Sequence, residues 1–210
     1  MRKNLFIVAI ATLVVCSCGS SKQASTPSKS IATGPEAKVK EWQADGYKID
    51  GTRTMYDKLV AHYAQTDANP NLIEVEGSGI GSEKSEARLY CLNAAAIQYA
   101  TAARSVVAGG ISREFSNFTE SGTKLMGAYT QKVQEAITPF LKESVAVYRN
   151  TTQNGKNVIE YDIYYIVDET KVAQVRKDAM EQALKETATE QIFGTAVDKW
   201  VKEFVKPMEE

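Results

Sequence analysis

The dipeptide Asn154-Gly155 separates two runs, LKESVAVYRNTTQ and KNVIEYDIYYIVD, whose polarity alternates with a period of two. Asn-Gly suits the left-handed backbone of a two-residue hairpin turn, so it fixes a register as well as a reversal. Counting outward sets Arg149 opposite Glu160, Tyr148 opposite Tyr161 and Ala146 opposite Ile163. One face then collects Ile159, Tyr161, Ile163, Tyr165 and Val167, and the other carries the Arg149–Glu160 charge pair. A sheet that is apolar on one face is antiparallel and takes helices on that face. The expected fold class is α+β.

The helices follow from spacing and punctuation. PEAKVKEWQADG reads as a short helix with Pro35 at its first position and Gly46 past its end. YKID is a short strand, and RTMYDKLVAHYAQ repeats apolar residues at helical spacing. A helix from about Glu83 to Ala108 holds eight alanines from Ala87 onward, with Ser82 as its N-cap and Gly109-Gly110 as its stop. ISREF, from Ile111 to Phe115, then reads as a strand. TKLMGAYTQKVQEAI is a further helix closed by Pro139, and KVAQVRKDAMEQALKET and TEQIFGTAVDKWVKEFVK are two more. The expectation is an antiparallel sheet packed by a long Ala-rich helix and further helices.

Between strand and helix stands LIEVEGSGIGSEKSEA, with Gly77, Gly79 and Gly81. A dinucleotide fingerprint needs G-x-G-x-x-G after a strand buried on both faces. Here the third glycine comes one position early, and Ser82 stands in its place. Ile73 and Val75 share one strand face while Glu74 and Glu76 share the other, which suits a half-exposed strand. The glycines therefore read as room for the Ala-rich helix to approach the strand backbone.

The first residues follow a different logic. Arg2 and Lys3 precede LFIVAIATLVV, an apolar run too short for a span of roughly 20 residues. VCSCGSS follows and resembles a bacterial lipoprotein signal, which leaves a lipidated cysteine at the new N-terminus. Cys18 fits, with Ser17 before it and Val15 at the third position back. Cys16 fits poorly, because bulky Val15 would sit at the cleavage bond. An ordinary secretory signal is the alternative. Processing would divide the chain into a signal over 1–17, a flexible tether over 18–34 and a single α+β domain over 35–210. The net charge of −1 would become −3 with the loss of Arg2 and Lys3, and only Cys91, in an apolar helical stretch, would remain as a thiol.

Chemistry is sparse. The near-neutral charge gives no reason to expect nucleic acid as a partner. The single histidine, His62, removes most His-centred acid–base designs and zinc sites. It reads as a surface or partly buried residue of an amphipathic helix. Asp45 and Asp50 fall short of a calcium loop, Glu74 and Glu76 read as a solvated edge, and Ser82 and Ser85 lack a base at a known spacing. No catalytic residue, metal or cofactor is expected. Tyr164 and Trp200 are the expected interface residues.

The stretch LIEVEGSGIGSEKSEARLYCLNAAAIQYATAARSVVAGGISREFSN resembles the LPP-twenty lipoprotein family. The shared features are a strand ending in G-x-G (Gly77, Gly79), a long helix carrying Ala87, Ala94, Ala95 and Ala102, and a second strand from Ile111. VAVYRN and EYDIYYIVD suit the family's remaining sheet, so the resemblance covers about 72–168. The whole layout is also similar to lipoproteins of gut-type Bacteroidetes of unknown function. The resemblance implies a helix-on-antiparallel-sheet fold with no established catalytic site. The expected protein is a non-enzymatic lipoprotein of the bacterial cell envelope, held to the outer membrane by Cys18. It would act by self-association or by binding another envelope protein. The alternative is a small-ligand-binding periplasmic or surface module with a cleft beside Tyr164 or Trp200.

Overall fold

The computed structural model describes residues 34–114, 120–189 and 193. Its elements are α1 (Pro35–Ala44), β1 (Lys48–Ile49), α2 (Met55–Ala68), β2 (Leu72–Gly81), α3 (Lys84–Glu114), α4 (Glu120–Ile137), a short 3-10 turn (Thr138–Phe140), β3 (Lys142–Gln153), β4 (Lys156–Asp168) and α5 (Glu169–Thr187). The four strands form one antiparallel sheet in the order β1-β3-β4-β2. The fold class is α+β, as expected.

The hairpin has the register counted from its turn. Arg149 faces Glu160, Tyr148 faces Tyr161 and Ala146 faces Ile163. Asn154 (φ 52°) and Gly155 (φ 74°) both take the left-handed conformation that the two-residue turn needs. The cross-strand pair forms, with Arg149 Nη2 2.7 Å from Glu160.

On one face of the sheet, Tyr161, Ile163, Tyr165 and Val167 join a core built from α3, α4 and α5. The opposite face is covered as well, which the one-sided pattern did not predict. Trp42 of α1 and Met55 and Leu59 of α2 pack with Tyr47, Val145, Val147 and Tyr164 in a second, smaller core. Few apolar side chains build this layer. Over Glu160 and Asp162 the same face stays polar, so the alternation rule holds locally at the Asn-Gly end.

β2 is an edge strand, and α3 lies very close to it. A Cβ on Gly77 would stand 2.0 Å from the Cys91 carbonyl oxygen, and one on Gly79 2.4 Å from that of Ala87. A Cβ on Gly81 would stand 2.6 Å from the Ala87 amide nitrogen. No side chain fits at those distances, so the glycines are packing relief. They form no phosphate loop, because their strand pairs antiparallel to β4 along its full length. Ala87, Cys91 and Ala95 present small side chains at the contact, and all three are fully buried.

Two local expectations are corrected. Ile111–Glu114 continue α3 as helix rather than forming a strand. Gly109-Gly110 do not stop the helix, although each interior glycine costs about 1 kcal/mol. Packing of Ala100 and Val107 with Leu125 and Met126 of α4 offsets that cost. Ser82 also does not cap the helix with its side chain. Its N–H and hydroxyl both donate to Glu86, at 2.7 and 2.6 Å. Phe115 and the last expected helix, apart from Thr189 and Phe193, lie outside the described residues.

The glycines make a paired prediction. Gly77→Ala should lower the free energy of unfolding in urea by about 3 kcal/mol, at the upper end of overpacking costs. Gly109→Ala, where an added Cβ meets nothing within 4 Å, should instead raise it by about 0.5–1 kcal/mol. Equal effects at both positions would contradict this account of the α3–β2 contact.

Candidate functional site

The strongest polar constellation surrounds the histidine. α2 is capped by Thr54, whose hydroxyl accepts from the Asp57 N–H at 3.1 Å, and two turns later it carries His62 onto the sheet. The imidazole is fully buried. Nδ1 lies 2.9 Å from Ser144 Oγ, and Nε2 forms a close contact with the Glu74 carboxylate. Tyr63 meets the ring edge-on and Tyr164 packs against it at 5.5 Å. Glu74 belongs to β2 and Ser144 to β3, so the ring spans β4 and fastens the helix to both of its neighbours. Ser144 is the extra residue of a bulge between Glu143 and Val145, and a bulge re-aims a side chain that regular pairing would point elsewhere.

Serine, histidine and glutamate in contact are also the order of a nucleophile, its base and an orienting carboxylate. We read them as a clasp, because the ring has no exposed surface and both nitrogens are used in holding α2. The Ser144 hydroxyl can accept from an Nδ1–H or donate to a bare Nδ1. Nε2–H is directed at the carboxylate in either case.

A second network closes the other face near the N-terminus of α3. Asp50 accepts from Tyr161 OH at 2.6 Å, Arg88 Nη1 at 2.8 Å and Lys84 Nζ at 3.3 Å. Arg88 also makes a close contact with Glu143. Lys84 Nζ sits 3.8 Å above the Tyr148 ring, which stacks on Tyr161. Partial burial acts to raise the Asp50 pKa, but the hydrogen bonds from Tyr161 and Lys84 and the charges of Lys84 and Arg88 outweigh it. The carboxyl is held below its ordinary range. A third network joins α3 to α5. Tyr99 OH donates to Glu169 at 2.8 Å, and Arg176 closes on both groups.

The expected site residues separate. Tyr164 is only 6% exposed and lies under Trp42, with ring centroids 5.5 Å apart. It is therefore a core residue, and the space beside it is filled. Its place on the face expected to be solvated had suggested an interface. Cys18 and Trp200 lie outside the described residues. Cys91 is the buried small residue that was expected. Its thiol donates to the Tyr161 carbonyl at 3.3 Å, and burial raises its pKa to about 12. Glu74 was expected on a solvated edge and is 41% exposed, yet it also holds His62. Sequence reading missed the clasp, whose only local trace is the placement of a histidine on an amphipathic helix.

Comparisons with family models, with curated proteins and with solved structures found no match.

Two measurements probe these networks. His62→Ala should speed hydrogen exchange across α2 and destabilise the protein by about 2–3 kcal/mol, because two polar partners lose their ring. Labelling of Ser144 by a fluorophosphonate, lost in His62→Ala, would instead give the trio a catalytic role. For Asp50, a lowered folded-state pKa contributes stability that is complete above the ordinary carboxylate value of about 4 and is lost as pH falls through the folded value. Asp50→Asn should therefore flatten the acid limb of a urea-stability profile. An unchanged slope would remove Asp50 from the acid response.

Proposed function

We propose that this chain is a lipid-anchored bacterial envelope protein, most simply of the outer membrane, that acts by association and not by catalysis. The observation that carries the reading is the succession of features in the N-terminal sequence. A basic start and a short apolar run lead to VCSCGSS, in which Cys18 follows Ser17, and then to a stretch rich in Ser, Thr, Gly and Pro. Lipid on Cys18 would anchor the chain, since each buried acyl CH₂ contributes roughly 0.8 kcal/mol and several chains add. Among the described residues, no helix is long and apolar enough to cross a membrane.

The folded body agrees with this reading at its near end. α1 starts at Pro35, where the tether composition stops. The resemblance to the LPP-twenty family supports the same placement. The three polar networks use their charged groups to join helices to the sheet or to one another, and the body still exposes large apolar side chains such as Leu89, Tyr90 and Ile97. Exposed apolar surface of this kind suits a protein partner, either another copy or a different envelope protein.

Metabolic labelling with a fatty-acid analogue tests the anchor. The wild-type chain should carry label and Cys18→Ala should not. Equal labelling of the two would overturn the reading.

A further inference from the structure

α3 has three flanks, and two are covered. One rests on β2 and β4, and a second packs on α4 through Ala96, Ala100 and Val107. The third carries Tyr90, Asn93, Ile97, Thr101 and Arg104, with Glu83 just ahead of the helix, and all six are exposed. From Tyr90 to Arg104 they recur at spacings of three and four residues, which keeps them in one line along the helix. Tyr90 is 45% and Ile97 50% exposed, and Leu89 beside them is 54% exposed.

We propose that this flank docks on the same flank of a second copy, with the two α3 helices antiparallel. The proposal rests on the association reading above and names its surface. The argument is self-complementarity. The flank is acidic at its N-terminal end, with Glu83, and basic near its C-terminal end, with Arg104. Among the described residues Arg104 forms no salt bridge. A two-fold axis passing between Asn93 and Ala94 sets Tyr90 against the second copy's Ile97. The same axis sets Glu83 against the second copy's Arg104, at both ends of the contact. One axis thus pairs apolar with apolar and acid with base. A parallel arrangement would oppose Tyr90 to Tyr90 and Arg104 to Arg104, and would also align the two helix dipoles.

The size of the contact says where it matters. From Glu83 to Arg104 the flank runs roughly 30 Å at 1.5 Å per residue. A single helix pair of that length buries less than the approximately 1,200 Å² of a stable interface. Association would be weak in dilute solution. Chains anchored to one surface meet at a far higher effective concentration, where a small complementary contact suffices.

Cysteine cross-linking of the full lipidated chain in its own membrane tests the face. Asn93→Cys places a thiol next to its symmetry mate; Cys91 is fully buried, and in the lipidated chain Cys16 has left with the signal and Cys18 carries lipid, so the new thiol is the reactive one. Mild oxidation should give a species of twice the monomer mass. Val60→Cys, 39% exposed on α2, should give none. Arg104→Glu should remove the Asn93→Cys product, and adding Glu83→Arg should restore it. Absence of the product, equal products at both positions, or a product with a different protein's mass would overturn the proposal. Lipid labelling of the same cells reports the anchor separately. A labelled chain without the Asn93→Cys product rejects this face alone, and in an unlabelled chain, where Cys16 and Cys18 can stay as thiols, a product gained only on adding Asn93→Cys rejects only the anchor.

Discussion

The approach of α3 to β2 is the contact on which the other contacts depend. With a Cβ at Gly77, Gly79 or Gly81, the helix would have to lift off the strand, because the obstructing atoms belong to its own backbone. The small side chains of Ala87, Cys91 and Ala95 bury little area apiece, so the contact gains less from transfer out of water than from close packing. Dispersion falls steeply with a gap of even half an ångström, which makes the glycines a requirement and not a tolerance. The position of the helix then sets other fastenings. It brings Cys91 to the Tyr161 carbonyl, Lys84 and Arg88 to Asp50, and Tyr99 to Glu169 of α5.

The polar networks have a consistent placement. The His62 trio ties α2 to β2 and β3, the Asp50 network ties the β1–α2 loop to α3 and the sheet, and Glu169–Arg176–Tyr99 ties α5 to α3. Each sits at the margin of a hydrophobic core. A buried polar group left unsatisfied costs about 1–3 kcal/mol, so each network favours one docking of its helix over sliding alternatives. Specific placement comes from these bonds, and the driving force comes from the two cores beside them.

The sequence made the hairpin and the glycine contact legible because both are local or periodic. Asn154-Gly155 fixes the β3–β4 register by turn geometry alone, and β2 announces its buried face by alternating glutamate with valine and glycine. Other features needed long-range knowledge. His62 and Ser144 are 82 positions apart, and the bulge that aims Ser144 leaves no mark in an alternation pattern. Tyr164 was misplaced for a related reason. Its strand face is mixed, with Asp162 and Glu160 to one side, and only the arrival of Trp42 and Leu59 from α1 and α2 makes it core. The two glycines at 109 and 110 misled because a local stop signal competes with packing on α4, and the packing prevails.

The two helical layers lie on opposite faces of the sheet, and this bears on how an anchored chain could associate. α1, where the proposed tether joins the body, packs with Tyr164 and Val147 on one face. α3 packs over Gly77, Gly79 and Tyr161 on the other. The point of attachment and the open flank of α3 are therefore separated by the sheet itself. Lipid at Cys18 would hold two chains to a common surface, with each body joined to its tether through α1, on the face opposite α3. The same helix whose inner side must be small to meet β2 still leaves Tyr90 and Ile97 exposed on its outer flank, although the Tyr90 Cβ itself lies against the Gly79 position of β2. Packing of the fold and docking of a second copy therefore make demands on largely different positions of one helix, and at Tyr90, where they meet, the Cβ serves the first and the exposed ring the second.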